Sequence, residues 1–522
     1  MTESDQPGGW RARSRTAWAR SSLLAPILTL VGGTAAAQAL VFAARPVLTR
    51  LYTPDDFGVL TVFTTLVSLG ATVASGGYRS TLLLPRSDDR AAGLFVLALG
   101  CATAVSLLSA LVPLVPAGLA PTVLADPVAR MALVLFPVAL LAAEAVQTLT
   151  VWHSRFYRFR LVSAVRVVQS GTTLAVQLGV GIALAAGVIA GGAGSRIAAL
   201  GLVGGVVVGF LVGALVGGVW LLTRDRARFG AVSRAGVVRL AGRYQRFPRF
   251  SAPAALLNVA ATRAPVLLLA VFFGSAVVGQ FGVAFGALAL PLGLVTGAVG
   301  EVFFVRAADA HRAGTLPSLT RTVLRGMWAV TLFPSLAVLV AGPSLFAFVF
   351  GDVWAEAGRY AQLTAPWVLL AAIAAPMTAL FDVLERQRAD LGFSIVMFVV
   401  LTGAITTASL SLDAVGTVLV AGVFGALLRV AHLAWMLHLA RVPYRGVLTD
   451  AGAALVRAIP LVALVAVVEW SALGLAWTFT ATVLGGLVTL ALGRRALRSA
   501  RTPRSEQLAH KKGEHSDEHP PS

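Results

Sequence analysis

The sequence predicts an all-α integral membrane protein with about 14 transmembrane helices, and three observations carry that expectation. Of the 522 residues only 12% are charged, against roughly 25% in soluble domains, while 57% are hydrophobic. A soluble core cannot absorb that much apolar surface, so the matching solvent is a bilayer. Apolar runs of about 20 residues, the length a helix needs to cross hydrocarbon, recur along the chain. Basic residues punctuate those runs in an alternating pattern that implies a sidedness.

Residues 1–22 form a polar, basic tail. The run that follows, Leu23 to Ala44, is too long for the apolar core of a cleavable signal and reads as a first retained helix. Further runs fall at 57–77, 91–115, 130–151, 163–189 and 196–222, completing a first lobe over 23–222. A basic linker, 223–251, separates it from a second lobe over 252–440, with runs at 252–273, 277–304, 322–350, 361–383, 391–411 and 414–438. Two extra helices occupy 451–493, and 494–522 is a polar tail. With the N-terminus in the cytoplasm, the external segments keep only Arg45, Arg50, Arg130, Arg196 and Arg359. Arg263, Arg429 and Arg457 fall inside runs, and the remaining basic residues face the cytoplasm. An even helix number puts both termini on that side of the cytoplasmic membrane.

Several function classes drop out. The net charge of +19 is spread between apolar blocks rather than gathered on a soluble face, so membrane orientation explains it better than nucleic-acid binding. The single cysteine, Cys101, excludes a disulfide framework. The only lysines are Lys511 and Lys512, so no Walker A loop can form. No zinc-protease, CxxC or nucleophile-elbow pattern occurs, and "HKKGEHSDEHPPS" reads as a polar tail rather than a metal site. No cofactor, metal or catalytic set is expected.

The polar island "PVLTRLYTPDDFGVL", from Pro46 to Leu60, reads as the first external turn. Pro54 starts a turn, and Asp55 and Asp56 are placed to cap the next helix. A faint echo lies six helices on, where "RAPVLLLAVFFGSAVVGQFGVA" starts at Arg263. Both segments read Arg, Pro-Val-Leu, a turn, then Phe-Gly-Val. Repeats of this kind build transporters with the substrate site between two halves.

"GGTAAAQALVFAARPVLTRLYTPDDFGVLTVF" resembles the opening of polysaccharide biosynthesis proteins of the Wzx type, the O-antigen flippases. "YRSTLLLPRSDDRAAGLF" is similar to their loop after helix 2. The stretch "RFPRFSAPAALLNVAATRAPVLLLAVFFGSAVVGQFGVAFGALALPLGLVTGAVGEVFFVRAADA" looks like the start of their second lobe. The likeness covers most of residues 25–310. It implies the multidrug/oligosaccharidyl-lipid/polysaccharide exporter superfamily: two pseudo-symmetric six-helix lobes around a cavity, with two extra C-terminal helices here. It further implies passage of a polyprenyl-diphosphate-linked oligosaccharide to the outer leaflet. One departure stands out: the position after the tyrosine in "GGYR", often acidic or otherwise polar in relatives, is Arg79, so a family role for an acidic group there does not carry over.

An anionic diphosphate calls for a cation in the path, and ionisable groups at membrane depth usually face a bundle interior. Arg263 is the leading substrate-binding candidate, either meeting the diphosphate or pairing with a buried acid such as Glu144. Glu144 and Gln147, one turn apart, can face one side and bind sugar hydroxyls. Arg429, with His432 one turn on, either contacts substrate or snorkels to lipid phosphates. Gating candidates are Arg45 and Arg50 with Asp55 or Asp56 at the outer mouth, which are otherwise simply solvated, and Glu301 and Asp382 on the cytoplasmic side, where pairing with nearby arginines makes either static anchors, the favoured reading, or a gate. Gly205, Gly209, Gly213 and Gly217 leave one helix face bare for close packing. Pro137, Pro265, Pro291, Pro334 and Pro376 are candidate bends.

The expected activity is therefore that of a flippase, with alternating access and no bond chemistry. Its partners are the lipid-linked glycan, membrane lipids and polysaccharide polymerase or assembly proteins, with no nucleic acid. A multidrug cation antiporter would place acids at the cavity centre. A membrane polysaccharide polymerase or ligase would need a long external loop, and every external loop is short.

Overall fold

The computed structural model describes residues 32–114, 127–188, 194–471 and 474–499. Among the described residues all regular structure is helical. Lipid offers backbone groups no partner, so each segment bonds itself. The helices are α1 (32–51), α2 (Pro54–Ala74), α3 (Asp88–Ser109), α4 (Pro127–Val134), α5 (Phe136–Arg155), α6 (Phe159–Ala185), α7 (Gly194–Arg224) and α8 (Arg234–Arg243). They continue as α9 (Ala252–Phe273), α10 (Ser275–Arg312), α11 (Leu316–Phe350), α12 (Ala355–Ala374), α13 (Ala379–Val383), α14 (Gln387–Ser409), α15 (Ala414–Leu439), α16 (Tyr444–Trp470) and α17 (Leu475–Ser499).

Among the described residues 11 helices are long and apolar enough to cross a membrane, or up to 12 when α4 and α5, bent by 48°, count as one span. The expected fourteen is thus not reached by this measure. The first expected run begins outside the described residues, and the last keeps only a shorter apolar stretch, Leu475–Thr489. The N-terminal tail and the histidine-bearing tail also lie outside them.

Prolines act unevenly. The α4–α5 bend falls at Leu135, two residues before Pro137. Pro265, Pro291 and Pro334 sit inside continuous helices, whereas Pro376 lies in a 3₁₀ turn, Ala375–Thr378. In α11 the break is at Ala341 (φ −121°), two residues before Pro343, as expected from the clash of a proline ring with the preceding turn.

The chain divides into two compact units. The first holds the chain up to Leu290 with Val349–Tyr360 and Asp390–Ala421, and the second holds Pro291–Phe348, Ala361–Ala389 and the chain from Gly422 onward. In the first unit the glycine stripe of α7 packs as its spacing requires. Gly205 and Gly209 meet Thr173 and Gln177 or Gln169 of α6, and Gly217 meets Leu149 and His153 of α5. Side chains lock the same layer: Tyr52 donates to the Gln177 carbonyl (2.6 Å), and Gln177 donates to the Leu202 carbonyl (2.9 Å).

Where α3 begins and α5 and α7 finish, an aromatic and charged clamp ties three segments. Asp225 is buried and accepts from Trp152 Nε1 (3.0 Å), from Arg158 (2.5 Å) and from Arg228. Arg158 also lies 4.0 Å from the Trp220 ring centroid, a cation–π contact. Arg155 reaches the Leu82 and Pro85 carbonyls and Asp88. In the second unit a core around Phe333, Met377, Phe381 and Met436 is flanked by Asp450, which accepts from Arg321 (2.7 Å) and Arg325 (3.0 Å).

Candidate functional site

In the first unit the carboxylates of α2 and α5 are hydrogen-bonded, whereas Arg45 Nη1 and the Arg263 guanidinium meet no acid among the described residues. The island sets this up. α1 does not stop at 45 but runs on to 51, closed by Tyr52 N donating to Leu48 O at 3.0 Å. The expected turn therefore shrinks to Tyr52 and Thr53. Thr53 and Asp56 form a capping box: Thr53 N donates to Asp56 Oδ2 (2.9 Å), and Asp56 N donates to Thr53 Oγ1 (3.3 Å). That reciprocal pair satisfies the orphan donors at the start of α2 and makes α2 begin at Pro54. Asp55 is exposed and accepts from Ser275 Oγ at 2.6 Å. Arg50 is exposed and donates back to the Pro46 carbonyl (3.2 Å).

The extension of α1 moves Arg45 inward, six residues or about 9 Å from the helix end. Its guanidinium lies on Gly286 of α10, where an added Cβ would stand 2.4 Å from Nη1. That Nη1 is buried with no hydrogen-bond partner among the described residues. A buried cation nitrogen without an acceptor is costly, so this position favours a hydrogen-bond acceptor.

Arg263 lies in α9, whose flanking residues Ala264, Pro265 and Val266 are buried. Its own side chain is exposed and makes no hydrogen bond or ion pair with the described residues. Glu144 is not its partner. Glu144 is fully buried in α5, accepts from Arg79 Nη1 at 2.5 Å and from Thr148 Oγ1 at 3.2 Å. Arg79 stands on the 3₁₀ turn Tyr78–Leu83. Gln147, although one turn from Glu144, is exposed, because the covered stripe of α5 takes in 144 and 148 but not 147.

In the second unit, Arg429 Nη1 lies 3.5 Å from His432 Nδ1, and His432 is buried and stacked on Phe381 (5.6 Å, 19°). Glu301 and Asp382 are exposed on α10 and α13. Sequence reasoning missed Arg79 as the partner of Glu144, and it missed Gly286 and the Asp225 clamp.

Together these features define a polytopic helical membrane protein whose first unit holds a buried arginine nitrogen without a hydrogen-bond partner among the described residues. Residues 47–359, more than half of the chain, match the family model described as polysaccharide biosynthesis protein, and the chain belongs to that family. Among solved structures it is similar to the lipid II flippase MurJ in an inward closed conformation, with a TM-score of 0.57 and 10% identity over 92% of this chain and 99% of that one. It is also similar to a point mutant of the Vibrio cholerae MATE transporter VcmN, with a TM-score of 0.50 and 15% identity over 81% of this chain and 98% of that one. At these identities the likeness is one of fold. No curated protein sequence matches the chain.

Proposed function

We propose that this chain is a flippase that moves a polyprenyl-diphosphate-linked oligosaccharide across the cytoplasmic membrane by alternating access, for envelope or capsular polysaccharide export. The observation that carries the reading is the sign of the unsatisfied charge. Three carboxylates of α2 and α5 are engaged: Asp55 by Ser275, Asp56 by its cap and Glu144 by Arg79. Arg45 and Arg263 are not engaged by any acid among the described residues. A diphosphate would complete them with charge-assisted hydrogen bonds. Membership of the polysaccharide biosynthesis family and a fold shared with a lipid II flippase support the same substrate class.

In this reading Arg263 and Arg45 meet the diphosphate, Gln147 and Arg429 meet the glycan or its carrier, and Arg50, Asp55, Glu301 and Asp382 belong to the gates. Both termini face the cytoplasm, polymerase or assembly proteins take the delivered glycan, and no bond is made or broken. A multidrug cation antiporter has the same fold but needs a free acid on its path.

The test uses cells lacking the native protein and complemented with Arg263→Ala or Arg45→Ala, with membrane levels matched. Loss of surface polysaccharide with accumulation of lipid-linked oligosaccharide on the inner leaflet is expected. Normal export in both variants removes these residue assignments. A reconstituted protein that moves no lipid-linked oligosaccharide between vesicle leaflets removes the activity.

A further inference from the structure

The arginines around α3 fall into two groups. Arg155, Arg158 and Arg228 are paired with Asp88 or Asp225. Arg90, Arg226, Arg239 and Arg243 take no ion pair among the described residues. Three of these four line one groove of about 380 Å³ between the first turns of α3 and the basic helix α8. Arg239 and Arg243 stand one turn apart on the groove side of α8, and Arg90 faces them from α3. Ser233, which caps α8 by accepting from Gly236 N (3.1 Å), lies at its lip, and Asp89 is the one carboxylate in the lining. Gly93 lies under α8 at this groove: a Cβ there would stand 2.6 Å from Leu240 Cδ1.

A second groove of about 530 Å³ continues along the same helix. Its lining is almost wholly apolar: Phe95, Val96, Leu99 and Gly100 of α3 against Leu221 and Leu222 of α7. Arg226 stands at this groove too. Asp89, Gly93, Val96, Gly100 and Thr103 recur at alternating steps of four and three residues, so both grooves open on one stripe of α3. The span of α3 starts at Asp88, which puts the polar groove at headgroup level. The apolar groove begins near the same level, where Arg226 and Phe229 line it just past the end of α7, and runs along α3 to Thr103, roughly 20 Å from the start of that helix and within the hydrocarbon.

We propose that this stripe binds an anionic phospholipid of the bilayer, its phosphate held by Arg90, Arg239 and Arg243 and one acyl chain laid along Val96, Leu99 and Gly100. A cationic groove alone would suit any phosphate. The apolar continuation at hydrocarbon depth selects a lipid over a free anion. The site is separate from Arg45 and Arg263, and its occupancy does not depend on what the protein transports.

The experiment uses the full chain purified in neutral detergent. Bound lipid is counted by native mass spectrometry after adding phosphatidylglycerol or phosphatidylcholine with identical acyl chains, with inorganic phosphate as competitor. Phosphatidylglycerol is retained preferentially. The triple variant Arg90→Gln, Arg239→Gln, Arg243→Gln binds it on the order of a hundredfold more weakly. If that variant does not stay monodisperse, Arg239→Gln alone is read, with about a fivefold loss. Gly100→Leu fills the acyl groove at a position with no neighbour within 4 Å, and it lowers retention without lowering the unfolding temperature. Equal retention of the two lipids, retention unchanged in the arginine variants or in Gly100→Leu, or displacement of the lipid by inorganic phosphate overturns the proposal.

Discussion

Gly58 and Gly279 hold equivalent places in two helices that cross at their first turns. Each is the fifth residue of its helix, and each lies against the first residue of the other. A Cβ on Gly58 would stand 2.0 Å from the Ser275 carbonyl oxygen, and one on Gly279 would stand 1.8 Å from that of Pro54. The obstacle is backbone on both sides, so no rotamer change relieves it. Gly58→Ala and Gly279→Ala are each expected to cost about 1–3 kcal/mol, read as a lower unfolding temperature in detergent. Gly204→Ala, in α7 with nothing within 4 Å, serves as the control and keeps or raises that temperature. Equal behaviour of all three would mean that α2 and α10 do not meet as described.

The pair Arg79–Glu144 predicts an asymmetry. Glu144 is fully buried, whereas the Arg79 side chain is 21% exposed. Removing the arginine strands a buried carboxylate, so Arg79→Met is expected to cost about 3–5 kcal/mol. Removing the charge at the other end costs less, because Arg79 can turn to water and a glutamine still accepts from Thr148. Glu144→Gln should therefore lose roughly half as much or less. A double-mutant cycle measured by thermal unfolding checks this. Two single variants of equal cost would place the burden elsewhere.

Arg45 can be displaced without being removed. The atoms nearest a Cβ on Gly286 are the far end of its flexible side chain, so Gly286→Ala forces the guanidinium aside while the helices keep their places. Normal expression and unfolding temperature are expected, together with reduced polysaccharide export in complemented cells. Undiminished export would show that the position of this guanidinium is not used.

Much of the helix layout was legible in the sequence because the bilayer imposes it. Apolar length marked where most spans lie, with some ends off by six to nine residues, and four-residue glycine spacing marked the α7 packing face before any neighbour was known. The island was harder. The polar island from Pro46 suggested an external turn there, yet α1 continues through Pro46 to 51, and the capping box at Thr53 and Asp56 fixes where α2 begins. Partner choice was not legible. Glu144 has several arginines within plausible reach, and which one meets it depends on how the turn at Tyr78–Leu83 folds back over α5. Sequence spacing carries no information about that approach. The same holds for Arg45, whose environment is set by α10, more than two hundred residues away in the chain.

Asp225 offers a test by pH. Burial alone would push its carboxyl upward, but the bonds from Arg158 and Trp152 and the charges of Arg158 and Arg228 outweigh that and hold it below the usual carboxylate range. A carboxyl depressed on folding stabilises the fold above its unfolded pKa and loses that contribution as pH falls through the folded value. The clamp should therefore be fully effective at neutral pH and weaken only below about pH 4. Asp225→Asn is expected to lower the unfolding temperature at pH 7 and to flatten its decline in acid, since the variant has no such proton to gain. Asp225→Ala also strips Trp152 and Arg158 of an acceptor, and should cost about 3 kcal/mol or more. The decisive comparison is the unfolding temperature of the native chain and Asp225→Asn between pH 7 and pH 3. Parallel curves would mean that Asp225 is protonated alike in the folded and unfolded chain, and that the aromatic contacts of Arg158 hold the clamp without it.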